Sequence, residues 1–218
     1  MLSQDMLRER VSAYTDQVWH HPDHQDTPRV QVIVDEMMAH DMNRDFTSQG
    51  IKPLLSIHPQ ARIVLIGQAP GHFAQDTLTP WNDPSGDRLR EWLGVDMETF
   101  YTSDRIAIMN MDAYFPGVGK SGDLPPRKEF AQLWHPRLLE CMPKAELFVT
   151  IGGYSTKRYL NLKSSERLTD VVRNFAQYGP RYFPLVHPSG RNNIWQAKNP
   201  WFEREVIPQL QQRVRQLI

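Results

Sequence analysis

The stretch RIVLIGQAPG, residues 62–71, decides the fold class of this chain. It begins with a run of β-branched and aliphatic side chains, residues 62–66, and ends in the turn Gly67-Gln68-Ala69-Pro70-Gly71. A short apolar run that closes on a glycine-bearing turn is typical of a buried strand in a parallel sheet. The rest of the chain should then supply further strands, separated by helices.

Three more apolar runs complete a predicted sheet: residues 105–109 (RIAIM), 147–151 (LFVTI) and 182–186 (YFPLV). Helical patterns separate the runs, at about residues 87–93, 127–141, 155–160 and 166–176. This alternation predicts an α/β fold, a three-layer α/β/α sandwich with a mainly parallel four-stranded sheet.

Two proline positions refine this prediction. Pro184 lies in the fourth run and cannot donate to a ladder, so the fourth strand should be an edge strand. Pro200 lies between Asn199, a favourable N-cap, and Glu203, an acid in the first turn. The three residues together indicate the start of a C-terminal helix.

The N-terminal 58 residues show no strand pattern and have apolar residues at helical spacing over 1–19 and 29–46. We therefore predict an N-terminal helical extension, residues 1–58, and an α/β domain, residues 59–218. The polar link between the two helices contains His20, His21, Asp23 and His24. These are metal-ligand types, but the run has no fixed geometry, and no metal site is predicted.

The composition excludes several classes of protein. The 218 residues are 40% hydrophobic and 23% charged, as in a soluble globular protein. No apolar run approaches the roughly 20 residues that cross a bilayer. The first residues, MLSQDMLRERVSAY, lack an apolar signal core, which indicates the cytoplasm. Cys141 is the only cysteine, so an internal disulfide and a cluster held by several thiolates are excluded.

The charge is balanced over the whole chain but not along it. Residues 1–116 carry a net charge of −8, and residues 117–218 carry a net charge of +8. Such an asymmetry is compatible with a phosphate-bearing partner held on one face. Ordinary sequence fluctuation explains it equally well, so charge alone does not identify a partner.

Polar residues and glycines follow each predicted strand. The turn that starts at Gly67 follows the first, Asn110 and Asp112 follow the second, GGYS follows the third and HPSGRNN the fourth. In open parallel sheets, ligands bind beyond the carboxyl ends of the strands. We therefore expect Gln68 in the first turn, Asn110 and His187 to line one cavity.

These residues resemble the motifs of the uracil-DNA glycosylase superfamily, over roughly residues 60–215. Gly67-Gln68-Ala69-Pro70-Gly71 is similar to the first motif, and His187-Pro188-Ser189 to the second. Thr79-Pro80-Trp81 stands where the family has a Pro-aromatic pair, and Asn110 where it has a base-reading Asn. Pro125-Pro126-Arg127 also fits the family's turn into a helix. The resemblance implies the strand order 2-1-3-4.

The resemblance implies a role for each pocket residue. His187 would donate to O2 of the departing base, Asn110 would match O4 and N3–H of uracil, and Trp81 would stack on the base. Phe73 is a second stacking candidate. The backbone of the first motif would hold the base or a water, and its implied base-binding residues are Gly67, Ala69, Pro70 and Gly71.

The implied partner is DNA that contains uracil or another damaged base, bound by a monomer without cofactor, metal or membrane. Arg191 would enter the duplex beside the extruded nucleotide. The remaining implied DNA-binding residues are Ser155, Lys157, Ser189, Gly190 and Asn192.

One departure from the family concerns the first motif, where many members place a carboxylate. Gln68 and Ala69 occupy that position here, and Gln68 is the third catalytic candidate, with His187 and Asn110. The carboxylate could instead come from Asp76, Asp83 or Asp112. The four cysteines that hold an iron–sulfur cluster in some relatives are also absent.

Two alternatives to base excision remain open at this point. The first is a member with little or no catalysis that binds nucleic acid or a free base. The second is an enzyme that hydrolyses the N-glycosidic bond of nucleosides.

Residues 117–121 (GVGKS) resemble a phosphate-binding loop. The first glycine of that motif would fall on Tyr114, and Gly122 with Pro125 and Pro126 prevents the helix that should follow. Nucleotide hydrolysis is therefore not predicted.

Overall fold

The computed structural model describes residues 27–120 and 122–218, and its main sheet has four parallel strands. The strands of the described chain are β1 (Ile63–Ile66), β2 (Ile106–Ile108), β3 (Val118–Gly119), β4 (Gly122–Asp123), β5 (Leu147–Ile151) and β6 (Tyr182–Leu185). The main sheet has the order β2-β1-β5-β6, while β3 and β4 pair antiparallel as a separate hairpin. The predicted fold class and strand order are confirmed.

Helices cover both faces of the sheet. They are α1 (Pro28–Ala39), α2 (Arg44–Ser48), α3 (His72–Asp76), α4 (Pro84–Leu93), α5 (Met97–Thr102), α6 (Lys128–Glu140), α7 (Gly153–Tyr159), α8 (Leu168–Arg173), α9 (Asn193–Lys198) and α10 (Ile207–Arg215). Short 3₁₀ turns lie at Asp41–Asn43, Phe175–Tyr178 and Gly190–Asn192.

The alternation of side chains along β1 divides the core in two. Ile63 and Leu65 belong to a cluster with apolar residues of α4, α5 and α10. Val64 and Ile66 belong to a second cluster with apolar residues of α1 and α6. Because successive strand residues point to opposite faces, both faces of the central strand are buried. All four residues of β1 are therefore apolar.

The two edge strands of the main sheet, β6 and β2, each have a feature that suits an edge position. Pro184 lies in the outermost strand β6, in register with Thr150 of β5, so its missing N–H faces away from the ladder. At the other edge, Ser56 exchanges two main-chain hydrogen bonds with Ile108 of β2, of 2.9 and 2.8 Å. This short bridge covers part of an edge that another chain could otherwise extend.

The C-terminal helix differs from its prediction in its first turn. The helical run does begin after Pro200, but Phe202–Val206 form a π turn before α10 continues the helix. The side chain of Asn199 accepts a hydrogen bond from the indole of Trp201 instead of capping a main-chain N–H. The π turn buries Phe202 in the core, where it packs on Trp92.

The described part of the N-terminal segment is packed against the core. Val30, Ile33 and Met37 of α1 are buried beside α6 and β1. The domain boundary at residue 58 remains a prediction. The predicted helix over residues 1–19 and the His20, His21, Asp23 and His24 link lie outside the described residues. None of the described helices is long and apolar enough to cross a membrane.

A buried ion pair joins the loop after β2 to the start of α6. Asp112 is fully buried, and Arg127 donates to both of its carboxylate oxygens, at 2.7 Å each. Arg127 also donates to the main-chain oxygen of Met42 and to the side chain of Asn43. The pair therefore connects the N-terminal helical segment with the loop that follows β2.

We predict that Arg127→Met lowers the free energy of unfolding by about 3–5 kcal/mol, because it leaves the Asp112 carboxylate buried and unpaired. Urea unfolding measures the loss. The matched control is Arg62→Met, because Arg62 pairs with Glu146 at the surface. Such exposed pairs contribute about 0–1 kcal/mol. Equal losses in the two variants would contradict this account.

Candidate functional site

A cavity of about 650 Å³ lies at the carboxyl ends of the four parallel strands. It brings together eleven of the predicted site residues, namely Gln68, Ala69, Pro70, Gly71, Trp81, Asn110, Lys157, His187, Ser189, Arg191 and Asn192. Other lining residues include Asp83, Ser85, Asp123 and Tyr154. Segments that are up to about 120 residues apart in sequence therefore meet at one site.

At the floor of the cavity, hydrogen bonds connect the first motif with the loop after β2. The main-chain N–H of Gly67 donates to Oδ1 of Asn110, at 3.0 Å. The N–H groups of Met111 and Asp112 donate to the main-chain oxygens of Gly67 and Gln68, at 3.0 and 3.1 Å. These bonds fix the side chain of Asn110 in one orientation, which leaves its Nδ2 as a donor for a ligand.

The indole of Trp81 packs against Gly67, next to the hydrogen bond between Gly67 and Asn110. A Cβ placed on Gly67 would lie 2.6 Å from Cζ2 of Trp81 and 2.7 Å from Oδ1 of Asn110. Only glycine leaves room for both contacts.

The backbone of Trp81 adopts φ +57°, which is rare for a bulky residue and costs of the order of 1–3 kcal/mol. Buried Arg90 holds this conformation by donating to the main-chain oxygen of Trp81. Gly86 provides the space, since a Cβ there would collide with the same oxygen. The position of the indole is therefore fixed by α4.

His187 lies beside Trp81 in the cavity and is a hydrogen-bond donor there. Its Nδ1 accepts the main-chain N–H of Ser189, at 3.2 Å, so the proton of the neutral ring is on Nε2. Burial lowers the pKa of His187, while the carboxylates of Asp83 and Asp123 oppose that change. The ring centroid lies 5.7 Å from that of Trp81.

The three candidate carboxylates lie in different environments, and one of them lines the cavity. Asp112 is fully buried in its pair with Arg127 and does not line the cavity. Asp76 is exposed at the end of α3, paired with His72. Asp83 lines the cavity, where Oδ1 accepts the N–H of Gly86 as the N-cap of α4. Its Oδ2 lies 3.8 Å from the position that a Cβ on Gly71 would occupy.

The β3–β4 hairpin closes one side of the cavity. Asp123 of this hairpin lines the cavity, and Gln68 Nε2 donates to the main-chain oxygen of Leu124 at 3.1 Å. Neither Asp123 nor Ser85 is indicated by the sequence. The two-residue strands have no apolar alternation that could have revealed the hairpin.

Four of the predicted residues are placed elsewhere. Gly67 lies beneath Trp81 and Asn110 and does not line the cavity. Phe73, in α3, and Gly190 also lie outside the lining. Ser155 is fully buried, because α7 begins at Gly153 and turns the Ser155 hydroxyl back onto the main-chain oxygen of Ile151. Ser155 is therefore corrected from a DNA contact to a helix-start residue.

The sequence matches one known protein family. The model of the uracil DNA glycosylase superfamily matches residues 56–211. This chain belongs to that superfamily. A solution NMR structure of a candidate uracil DNA glycosylase from Methanosarcina acetivorans aligns with a TM-score of 0.42 and 16% sequence identity, over 72% of this chain and 93% of that protein. No group of three or more His, Cys, Asp or Glu residues suited to a metal ion occurs within residues 27–120 and 122–218.

Helix α6 contacts the main-chain oxygen of Asn110 through the buried side chain of His135. Nε2 of buried His135 lies 2.9 Å from the main-chain oxygen of Asn110, and Nδ1 lies 2.7 Å from the hydroxyl of Tyr159. A carbonyl oxygen can only accept, so Nε2 carries the proton and Nδ1 accepts the tyrosine O–H. This arrangement fits a neutral ring, which burial favours near neutral pH by lowering the pKa of His135.

We predict that a methyl group at Gly67 disturbs the cavity and weakens the binding of a ligand in it. In Gly67→Ala, Trp81 and Asn110 must both shift, and the lost hydrogen bond should weaken the binding of free uracil about tenfold. Calorimetric titration measures the affinity. The matched control is Gly153→Ala, since Gly153 lines the cavity and a Cβ there meets no atom within 4 Å. A similar loss in both variants would show that the crowding at Gly67 is unimportant.

We also predict that His135 makes the fold acid-sensitive. Burial lowers the pKa of His135 to about 4, helped by Arg158 and opposed by Asn110 and Asp112. Between the ordinary pKa of 6.5 and about 4 the unfolded chain binds a proton that the folded protein excludes. The free energy of unfolding should therefore fall by about 3 kcal/mol as the pH falls through this range.

The variant His135→Gln isolates this effect, because glutamine can donate to Asn110 without titrating. Urea unfolding at about pH 7 and about pH 4 measures how much unfolding free energy is lost on acidification. We expect that loss to be about 3 kcal/mol smaller in the variant than in the wild-type protein. Parallel losses in the two proteins would mean that other groups determine the acid sensitivity.

Proposed function

We propose that this chain is a DNA N-glycosylase that removes uracil or another damaged base. One observation carries the proposal: a neutral donor, a base-reading amide and a carboxylate converge in one cavity, at His187, Asn110 and Asp83. Membership of the uracil DNA glycosylase superfamily supports the reaction class. The preferred base within that class is part of the proposal.

Asn110 would read the base through its amide. Its Nδ2 would donate to O4 of uracil, where cytosine carries an amino group that can only donate. Its Oδ1 already accepts the N–H of Gly67, but a carbonyl oxygen has two lone pairs and can also accept N3–H of uracil. Trp81 would stack on the base, since the side chain of Arg90, in α4, holds the backbone of Trp81 in place.

His187 would stabilise the leaving group. Breaking the bond between C1′ and the base leaves the electron pair on the base, and part of the negative charge falls on O2 of uracil. Nε2–H of His187 can donate to that oxygen, since Nδ1 is occupied by the Ser189 N–H. Burial keeps the ring neutral, so the donor does not depend on proton uptake.

Asp83 would supply the negative charge that Gln68 and Ala69 lack. The sugar becomes cationic as the base departs, and a carboxylate in the cavity stabilises that cation and orients the water that adds to C1′. Oδ1 of Asp83 is used by the helix cap, which leaves Oδ2, beside Gly71, for the reaction. Asp76 and Asp112 are engaged elsewhere, as described above.

The loop that follows His187 would hold the DNA backbone. Arg88 of α4 donates to the main-chain oxygen of Ser189 and to the side chain of Asn193, at 3.3 and 2.8 Å. Asn192 donates to the main-chain oxygen of His187 at 2.7 Å, which uses its side chain to shape the loop. Ser189 and Lys157 would then contact phosphate oxygens, and Arg191 would enter the duplex beside the extruded nucleotide.

The variant Asp83→Asn tests the proposed carboxylate. It should lower the single-turnover rate of uracil excision roughly 10²–10³-fold, because it removes the charge. Asparagine is as good an N-cap as aspartate, so the stability of α4 should be preserved. The control Asp76→Asn should leave the rate unchanged. Normal excision by folded Asp83→Asn would assign the carboxylate role to another residue.

The same assay separates the alternatives, if it is run on uracil-containing DNA and on free nucleosides. Excision from DNA supports the proposed function. Cleavage of nucleosides without DNA binding would favour a nucleoside hydrolase. Binding of the DNA with no product, from the wild-type protein, would favour a non-catalytic member.

A further inference from the structure

Arg88 lies at the rim of the cavity, one helical turn along α4 from Ser85. Ser85 lines the cavity, and residues three apart share one face of a helix, so Arg88 lies beside the opening without lining it. Arg88 also contacts Ser189, a second lining residue. A base that enters the cavity leaves its flanking phosphates on the strand outside, so the rim is where the DNA backbone can be bound.

One nitrogen of the Arg88 guanidinium group supports the loop after His187. Nη1 donates to the main-chain oxygen of Ser189 at 3.3 Å and to Oδ1 of Asn193 at 2.8 Å. A guanidinium group has five N–H donors, and these two bonds use the pair on Nη1. Nε and Nη2 make no hydrogen bond within the part of the chain that the structure describes. Three donors are therefore left for a ligand.

The positive charge of Arg88 is not neutralised by a neighbour. Arg88 forms no ion pair with any described residue, whereas Arg90 of the same helix is paired with Asp87 at 2.6 Å. Arg90 is buried and holds the main chain of Trp81, while Arg88 is half-buried. An arginine whose fork has free donors and no carboxylate partner is well suited to bind a phosphate.

Ser189 provides another donor at the same place. Its main-chain N–H donates to Nδ1 of His187, and its main-chain oxygen accepts from Arg88. Its hydroxyl has no hydrogen-bond partner among the described residues. Because Arg88 contacts the carbonyl group of Ser189 itself, the hydroxyl and the free guanidinium donors lie close together. The two non-bridging oxygens of a phosphodiester can accept from both groups.

Resting on the proposed function, we propose that Arg88 binds a phosphate of the DNA backbone next to the extruded nucleotide, together with the hydroxyl of Ser189. Nη1 holds the loop that follows His187, and Nε and Nη2 hold the phosphate. The same side chain thus fixes the position of the strand relative to His187. The planar fork of arginine can make both contacts at once, whereas the single ammonium group of lysine cannot.

The test measures affinity for a duplex that carries one non-cleavable uracil nucleotide, by fluorescence anisotropy between about 50 and 200 mM salt. Each neutralised phosphate contributes about 0.9 to the slope of log K against log salt. Arg88→Met should therefore lower the slope by about 1 and weaken binding about tenfold at the lower salt concentration. Arg88→Lys keeps the charge and should keep the slope. The matched control is Arg105→Met, because Arg105 precedes β2, at the end of the sheet opposite the cavity.

A second measurement, on free uracil, separates a phosphate contact from a structural role, because uracil carries no phosphate. In Arg88→Met, His187 keeps its hydrogen bonds from Ser189 and Asn192. Calorimetric titration should therefore give an affinity for uracil within about threefold of the wild-type value, a change below about 1 kcal/mol.

The outcomes distinguish this proposal from the proposed function. An unchanged salt slope in Arg88→Met, or equal losses of affinity for uracil and for DNA, would overturn the phosphate contact. If the wild-type protein binds the duplex and the slope falls in Arg88→Met, but uracil is never excised, the phosphate contact stands and the proposed function is overturned. A wild-type protein that binds no DNA would overturn both.

Discussion

The site depends on the contact between the main-chain N–H of Gly67 and Oδ1 of Asn110. It joins the ends of two neighbouring parallel strands, β1 and β2, and it leaves no volume for a side chain at residue 67 because Trp81 lies on the other side. Three segments therefore reach their positions together. A pocket formed in this way has its polar groups in place before any ligand arrives, which is the condition under which hydrogen bonds discriminate between similar ligands.

Helix α6 extends this constraint into the core. His135, in the middle of the helix, holds the main-chain oxygen of Asn110, and Arg127, at its start, holds Asp112. The same helix thus binds the loop after β2 at two residues. The groups that it binds, the main-chain oxygen of Asn110 and the carboxylate of Asp112, are buried and would be costly to leave unpaired. Two residues outside the cavity lining therefore help to determine the position of the Asn110 amide.

The sheet could be predicted from the sequence because buried parallel strands are continuous apolar runs, and Pro184 marked the edge strand. The positions of Asn110 and His187 followed from their places after such strands. Asp83 could not be distinguished from Asp76 and Asp112, because the direction of a carboxylate depends on tertiary partners. Ser155 was misplaced for a related reason, since α7 begins two residues before it.

The neutral residue in the first motif and the hairpin are physically connected. Gln68 uses an amide N–H to hold the main-chain oxygen of Leu124, and a glutamate there would set two acceptors against each other. A carboxylate at residue 68 would therefore weaken the attachment of the hairpin. The pocket instead has the carboxylates of Asp83 and Asp123, and at Asp83 the N-terminus of α4 favours an anion and the cap bond fixes its direction. The amide of Gln68 thus holds the hairpin, while the carboxylate of Asp83, at the cap of α4, contributes negative charge to the same pocket.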